Sequence, residues 1–265
     1  MMEKMIFGRY VPGDSILHRM DPRSKLITVF LFVIVVFIAN NVVTYGVLAA
    51  YTLIMVGLSR VPLRFLYGGL KPVFLLVIFT FLLHIFMTKE GDVILDLGWL
   101  KIYEEGLRQG IFISLRFLLL ILITSLLTLT TTPIEITDGL ETLLNPLKKL
   151  KFPVHELALM MSISLRFIPT LMQETDKIMK AQTARGVEYN SGPIKDRIKA
   201  IVPLLIPLFI SSFKRAEELA VAMEARGYKG GEGRTKYRQL TWGVPDTMLI
   251  LFLAAVTILL IILRG

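Results

Sequence analysis

The sequence predicts an all-α membrane protein, with about five transmembrane helices plus three cytosolic or interfacial helices. Three observations predict it. The chain has 265 residues, 54% of them hydrophobic, and a mean hydropathy of +0.64, too apolar for an ordinary soluble domain. The apolar residues fall in blocks near the roughly 20 that a helix needs to span a bilayer. The charges collect between the blocks and differ in sign from loop to loop. Residues 88–106 carry 2 Lys+Arg and 5 Asp+Glu, whereas residues 131–243 carry 17 and 12. Uneven charge of this kind is a signature of membrane topology.

The first block begins near Leu26, behind Arg19, Arg23 and Lys25. No small-residue cleavage site follows it, so it reads as a retained span rather than a signal peptide. As one helix, Leu26–Leu58 would be ~50 Å long, against a hydrocarbon core of ~30 Å. Two short spans turning at Asn40-Asn41 fit better. The third span is Leu70–Met87, the fourth Leu107–Leu129, and the fifth Val244–Leu263, behind the interface anchor Trp242. Five Lys or Arg lie in residues 1–25 (Lys4, Arg9, Arg19, Arg23, Lys25) and three in residues 59–71 (Arg60, Arg64, Lys71). Both segments should therefore lie on the cytoplasmic side, with the acidic segment 88–106 outside. The expected protein is a multi-pass cell-membrane protein with a cytoplasmic N-terminus and an extracellular C-terminus.

This divides the chain into an N-terminal membrane region (1–130), a cytosolic helical region (131–243) and a C-terminal span (244–265). The cytosolic region opens at Thr132-Pro133, an N-cap followed by a first-turn proline. A helix to about Leu144 is stopped by Asn145-Pro146. Two long helices follow, from about Val154 to Arg185 and from about Pro193 to Arg226. The glycine-rich 230–233 stretch links back to the membrane. Leu157–Met172 and Ile198–Ile210 are apolar but shorter than a span, so they read as helices lying along the bilayer. If just one of them crossed, Arg185 and Arg226 would end on opposite sides.

Those two arginines lie in a repeated word. Ala181-Gln-Thr-Ala184-Arg185-Gly186 and Ala222-Met-Glu-Ala225-Arg226-Gly227 are 41 residues apart, and each closes a helical run. Arg in a last turn complements the helix dipole, and Gly just beyond takes a left-handed cap, so either word alone could be only a helix end. Their repetition on one predicted side points to presentation of the same tip to two similar surfaces. The alanines one and four residues before each Arg leave little bulk on that face, and the Arg fork suits carboxylates and helix-end carbonyls.

Asp21-Pro22-Arg23-Ser24-Lys25 reads as a helix start with a topology-fixing basic flank; the alternative is a salt-bridged collar joining the N-terminus to the cytosolic helices. Arg116 falls inside the fourth span, where a charge is expensive and marks a possible polar site. Arg166 and Pro169 interrupt the apolar part of the first long helix. No catalytic set stands out. The chain has no cysteine and its three histidines are far apart, so no metal site is expected. No Walker-type phosphate loop is present, and the basic residues follow no nucleic-acid motif. No cofactor is expected. A stand-alone carrier built on Arg116 and an intramembrane enzyme are the rival readings.

The signature words extend over nearly the whole length: Gly8-Arg9-Tyr10-Val11-Pro12-Gly13, Asp21–Lys25, Thr130–Glu135, Leu165–Leu171, Ala184-Arg185-Gly186, Ala222–Tyr228 and Gly230–Thr235. In these the chain resembles the transmembrane (T) component of energy-coupling factor (ECF) transporters, in its Bacillus-like form. The resemblance implies a scaffold in an ATP-driven importer of vitamins or other micronutrients. The two long helices would cross and dock, through Arg185 and Arg226, into two ATP-binding-cassette ATPase subunits (EcfA and EcfA'). Ala184, Gly186, Ala225 and Gly227 would shape the tips. ATP would be bound by those partners, and interchangeable S components in the lipid bilayer would bind the substrate.

Overall fold

A computed structural model describes residues 10–96, 101–189, 193–230 and 238–264. The basic residues Lys4 and Arg9, the Gly8-Arg9 word and most of the glycine-rich link, from Gly231 onward, lie outside the described residues. The chain forms two compact units. One holds residues 8–143 and 240–265, the other residues 1–7 and 144–239.

The first unit is a helical bundle. After the short α1 (Ile16–Arg19), α2 (Pro22–Val35) ends in a 3-10 turn, Val36–Ile38. The chain reverses at Asn40-Asn41 into α3 (Val42–Ser59). Asn41 fixes this turn chemically: its Oδ1 accepts the Thr44 N–H at 2.8 Å, and Thr44 Oγ1 accepts the Asn41 N–H at 3.1 Å. That reciprocal cap satisfies helix-end donors that have no intrahelical partner. Then come α4 (Leu63–Met87), α5 (Glu104–Thr130), α6 (Pro133–Leu144) and the last helix α9 (Val244–Leu263). α4 is bent by 54° between Leu63–Lys71 and Val73–Met87; a proline stands at the break, where its missing N–H removes a helical hydrogen bond. Small residues let α5 approach α4 closely. A Cβ on Gly106 would lie 3.0 Å from the His84 carbonyl oxygen, and one on Gly110 3.1 Å from the Phe81 ring, the small-residue seam that close helix packing in membranes uses.

Segment 88–106, expected as an acidic loop, holds a two-stranded antiparallel hairpin instead, β1 (Val93–Asp96) with β2 (Lys101–Tyr103). The apolar Val-Ile-Leu and Ile-Tyr runs favour extended backbone, a signal outweighed in the sequence by the surrounding acids.

Phe32, Val36, Leu48, Tyr51, Leu253 and Leu260 form the buried centre where α2, α3 and α9 meet. Phe32 stacks on Tyr51 at 5.6 Å between ring centroids, and Tyr45 on Phe112 at 4.9 Å. The outer faces carry Phe30, Val42, Leu53, Leu75, Leu251 and Ile262, all exposed. Apolar surface of this extent on spanning-length helices is a lipid-facing surface, since soluble chains rarely leave such patches bare.

The second unit consists of a 3-10 turn (Asn145–Leu150) and two long helices, α7 (Val154–Ala184) and α8 (Ile194–Ala225), packed on each other. By length and composition, α3, α5, α7 and α9 are able to cross a membrane, and a fifth is added if bent α4 counts as one span. α7 thus reaches spanning length, unlike the expectation from Leu157–Met172 alone. The helix continues for another twelve residues of mixed polarity, and that continuation supplies the length. α2, expected as the first span, has 14 residues before its 3-10 turn and is not among these helices of spanning length.

The bundle's two ends are tied by polar groups. At one, Asp246 Oδ1 accepts the Asp21 N–H at 2.8 Å and the Ser24 hydroxyl at 2.5 Å, while its Oδ2 accepts the Gly243 N–H at 2.8 Å. At the other, Asn41 Nδ2 donates to the Leu263 carbonyl at 2.9 Å and Asn40 Nδ2 to that of Arg264 at 3.3 Å. Asp246 is buried. Asp246→Ala would strand the buried Asp21 N–H, a loss of about 1–3 kcal/mol, and should lower the unfolding temperature of the detergent-solubilised chain. Asp246→Asn, which keeps the oxygen facing Asp21, should lose less. Equal losses in the two variants would show that the acceptor is not what holds this end.

Candidate functional site

The repeated word folds into the same backbone structure twice. At the end of α7, the Gly186 N–H donates to the Thr183 carbonyl at 2.9 Å and the Val187 N–H to that of Gln182 at 3.0 Å. At the end of α8, the Gly227 N–H donates to the Glu224 carbonyl at 2.9 Å and the Tyr228 N–H to that of Met223 at 3.0 Å. This paired bonding is the Schellman cap, which needs a left-handed residue just beyond the helix. Gly186 and Gly227 occupy that position with φ of +88° and +75°. Nothing lies within 4 Å of a Cβ placed on either, so backbone conformation alone, not crowding, demands glycine there.

All eight residues of the two tips (Ala181, Ala184, Arg185, Gly186, Ala222, Ala225, Arg226 and Gly227) are exposed. Among the described residues, neither the Arg185 nor the Arg226 guanidinium makes a hydrogen bond or an ion pair; only their backbone N–H groups donate, to the Gln182 carbonyl at 3.0 Å and the Ala222 carbonyl at 3.2 Å. Each is the C-cap residue of its helix. Both guanidiniums are thus held on fixed helix ends with their donors free. Such a group binds planar acceptors in fork geometry at little cost in backbone ordering.

The Asp21–Lys25 segment is more than a basic flank. It forms a collar, ahead of the apolar run that begins at Leu26. Arg23 grips Asp21 through both carboxylate oxygens, at 3.0 and 2.7 Å, and donates to the Leu240 carbonyl at 3.3 Å. Its guanidinium lies 5.6 Å from the centre of the Trp242 ring. The hydrogen bonds it donates to the Asp21 carboxylate raise the Arg23 pKa above its ordinary value. Buried Pro22 starts α2, and Asp21 caps it by accepting the Arg23 N–H at 2.8 Å. Lys25 is buried, and its ammonium donates to the Thr130 carbonyl at 3.1 Å and the Thr131 hydroxyl at 3.0 Å. Burial pulls its pKa down to about 8, since a low-dielectric site disfavours the charged form. Beside it, Thr132 and Glu135 cap α6 reciprocally, at 2.9 and 3.3 Å. Sequence alone did not single out Asp246, the acceptor at the centre of this collar. Its only local signal was a carboxylate in a first helical turn behind Gly243.

Arg116 lies on α5 with its guanidinium 5.0 Å from the centre of the Phe37 ring. Its Nε is buried without a hydrogen bond among the described residues. An aromatic face is the partner it has, a contact that strengthens away from water. His84 donates from Nδ1 to the Thr80 carbonyl at 2.8 Å, a satisfied helical histidine. Arg166 and Pro169 are exposed on α7, and the helix runs through the proline unbroken. The structure brings the collar residues together at one end of the bundle. Among the described residues, Arg116 makes no contact with the collar side chains.

Fold and tips together define a polytopic membrane protein that offers two matched helix ends. Comparison with known proteins specifies the class. Residues 13–237 match the CbiQ family, described as cobalt transport protein. The chain is 70% identical, over all 265 residues and the full length of both chains, to the energy-coupling factor transporter transmembrane protein EcfT of Bacillus subtilis. It is 59% identical to the protein of that name in Listeria innocua, again over both full lengths. It is 51% identical to that of Streptococcus thermophilus over 264 residues, the whole of both chains. The chain belongs to the CbiQ/EcfT family of transporter transmembrane proteins.

The caps give a direct test. Gly186→Ala and Gly227→Ala should each cost about 1–2 kcal/mol locally, the left-handed penalty of an L side chain. Hydrogen exchange should quicken in the last turn of the altered helix while the unfolding temperature of the whole chain stays unchanged. Unchanged exchange at both tips would show that the caps do not depend on glycine.

Proposed function

We propose that this chain is the coupling scaffold of an ECF-type importer for a vitamin or other micronutrient, with Arg185 and Arg226 as its two ATPase-docking residues. The observation that carries the proposal is the pair of matched, exposed, capped tips, whose guanidiniums have no partner among the described residues. Two identical tips suit two related subunits, and cassette ATPases work as pairs. Ala181, Ala184, Ala222 and Ala225 keep each approach face low enough for a groove to close over it, and Gly186 and Gly227 end the helix without adding bulk. ATP is hydrolysed in the partners, and an S component in the bilayer holds the substrate. The relatives' name, energy-coupling factor transporter transmembrane protein, supports this division of labour.

The same proposal sets the topology. The collar, the Thr130–Glu135 segment and both tips lie in the cytoplasm, and the Asn40-Asn41 turn and the C-terminus outside. Both α7 and α8 then lie along the membrane, since a crossing by one of them alone would put the tips on opposite sides. Their apolar residues support this placement: Leu157, Met160, Ile198, Ile206 and Phe213 are exposed, as in helices that rest in the interface.

The test is co-purification from the native host in mild detergent. Wild-type chain should bring down two cassette ATPases. Arg185→Glu with Arg226→Glu should insert normally but recover less than a tenth as much of them, and coupled uptake should vanish. Full recovery with the double variant would overturn the docking role. Recovery of the chain alone with wild-type arginines would overturn the scaffold function.

A further inference from the structure

A specific polar tie joins α7 and α8. Arg215 of α8 donates through Nη2 to Glu174 Oε1 of α7 in a close ion pair. Ser211 donates to the other carboxylate oxygen at 3.1 Å. The Arg215 guanidinium also lies 5.7 Å from the centre of the Phe167 ring on α7. Both partners are about three-quarters buried, with side-chain exposures of 26% and 25%. Neither matches the typical exposed ion pair, whose net worth is small.

The position of this tie is unusual. Glu174 and Arg215 are 41 residues apart, the spacing that also separates Arg185 from Arg226. Each docking arginine therefore stands eleven residues beyond its own partner in the tie. At ~1.5 Å per residue, each arm from tie to tip is about 16 Å long. The arms leave in different directions. A groove next to the tie is lined by Ile163, Phe167 and Leu171 from the half of α7 before Glu174, and by Ala216, Leu219 and Met223 from the tip-bearing half of α8. The tip-bearing arm of α8 thus shares a corner with the other end of α7. That corner is open, and small Ala216 and Ala220 line its α8 side. Apolar contacts in an open corner tolerate a change of angle, whereas the ion pair fixes a point.

We propose that Glu174, Arg215 and Ser211 form the pivot of a two-armed lever, positioning residues that hold the docking arginines at equal reach from one crossing point. A change of crossing angle of ~20° about this point, shared equally by the two arms, would move each tip by about 3 Å. Partner motion at either tip would then reach the other through the tie. Its functional consequence rests on the docking role proposed above, but its geometry does not.

The chain lacks cysteine, so paired spin labels are clean. Lys180 and Val221 are exposed helical positions just before the tips; Lys180→Cys with Val221→Cys reports the distance between the arms in the full chain, without any partner. The distance distribution should be narrow in this background and at least twice as broad with Glu174→Gln or Arg215→Gln. The exchanged pair, Glu174→Arg with Arg215→Glu, should restore it. Unchanged width in either single variant would overturn the pivot, as would failure of the exchanged pair to restore it. In liposomes with ATPases and an S component, without the labels, the single variants should still assemble and hydrolyse ATP while uptake per ATP falls at least fivefold; unchanged uptake per ATP would overturn the lever. Loss of assembly in the Arg185/Arg226 variant tests docking separately, so either idea can fail alone.

Discussion

A helix end leaves about four donors or four acceptors without an intrahelical partner, and in apolar surroundings each unsatisfied group costs several kcal/mol. That constraint organises this chain. The described helix ends with special chemistry are the places where the structure spends its polar residues. Asp246 and Asp21 close the starts of α9 and α2 together. Lys25 takes the last carbonyl of α5. The Asn40-Asn41 pair starts α3 and finishes α9 in one turn. With its ends closed in this way, the bundle can leave much of its outer surface apolar.

The two long helices end differently. Their caps are satisfied within the backbone itself, with no side chain consumed. Each Arg therefore stays available, where an arginine that capped its own helix would not. The same logic separates Arg23 from Arg185 and Arg226. All three sit at helix ends, but Arg23 is committed to Asp21, Leu240 and Trp242, and the other two are committed to nothing among the described residues. Glu174 and Arg215 complete the design by fixing where the two helices meet.

Much of this was legible because it is local. Gly186 and Gly227 end their helices for a reason contained in four or five neighbouring residues, as do Thr132-Pro133 and Asn41. The blocks of apolar residues gave the spans for the same reason. What escaped was pairing at long range. Asp246 meets Ser24 across 222 residues and Lys25 meets Thr130 across 105, and no periodicity encodes such contacts. The β1–β2 hairpin escaped because seven strand residues are too few to stand out among five acids. The extent of α7 was legible, from about Val154 to Arg185, but its apolar stretch Leu157–Met172 is by itself too short to cross, whereas the helix as a whole reaches spanning length. The Glu174–Arg215 tie left one readable trace, a 41-residue interval equal to that of the tips, but equal intervals carry meaning only once the helices are known to touch.

The collar also has a consequence for the order in which the protein comes into being. Asp21 and Ser24 leave the ribosome well before Asp246, which follows Ser24 by 222 residues. At roughly 5–20 residues per second, a gap of 222 residues keeps the first helix waiting on the order of 10–40 s for its acceptor. The early spans must enter the bilayer with that end still open, sheltered by the translocation machinery or by water. The bundle locks only when the final helix arrives. A ribosome that stops before Gly243 therefore releases a chain whose buried end has never closed, and quality control has an unsatisfied helix start by which to recognise it.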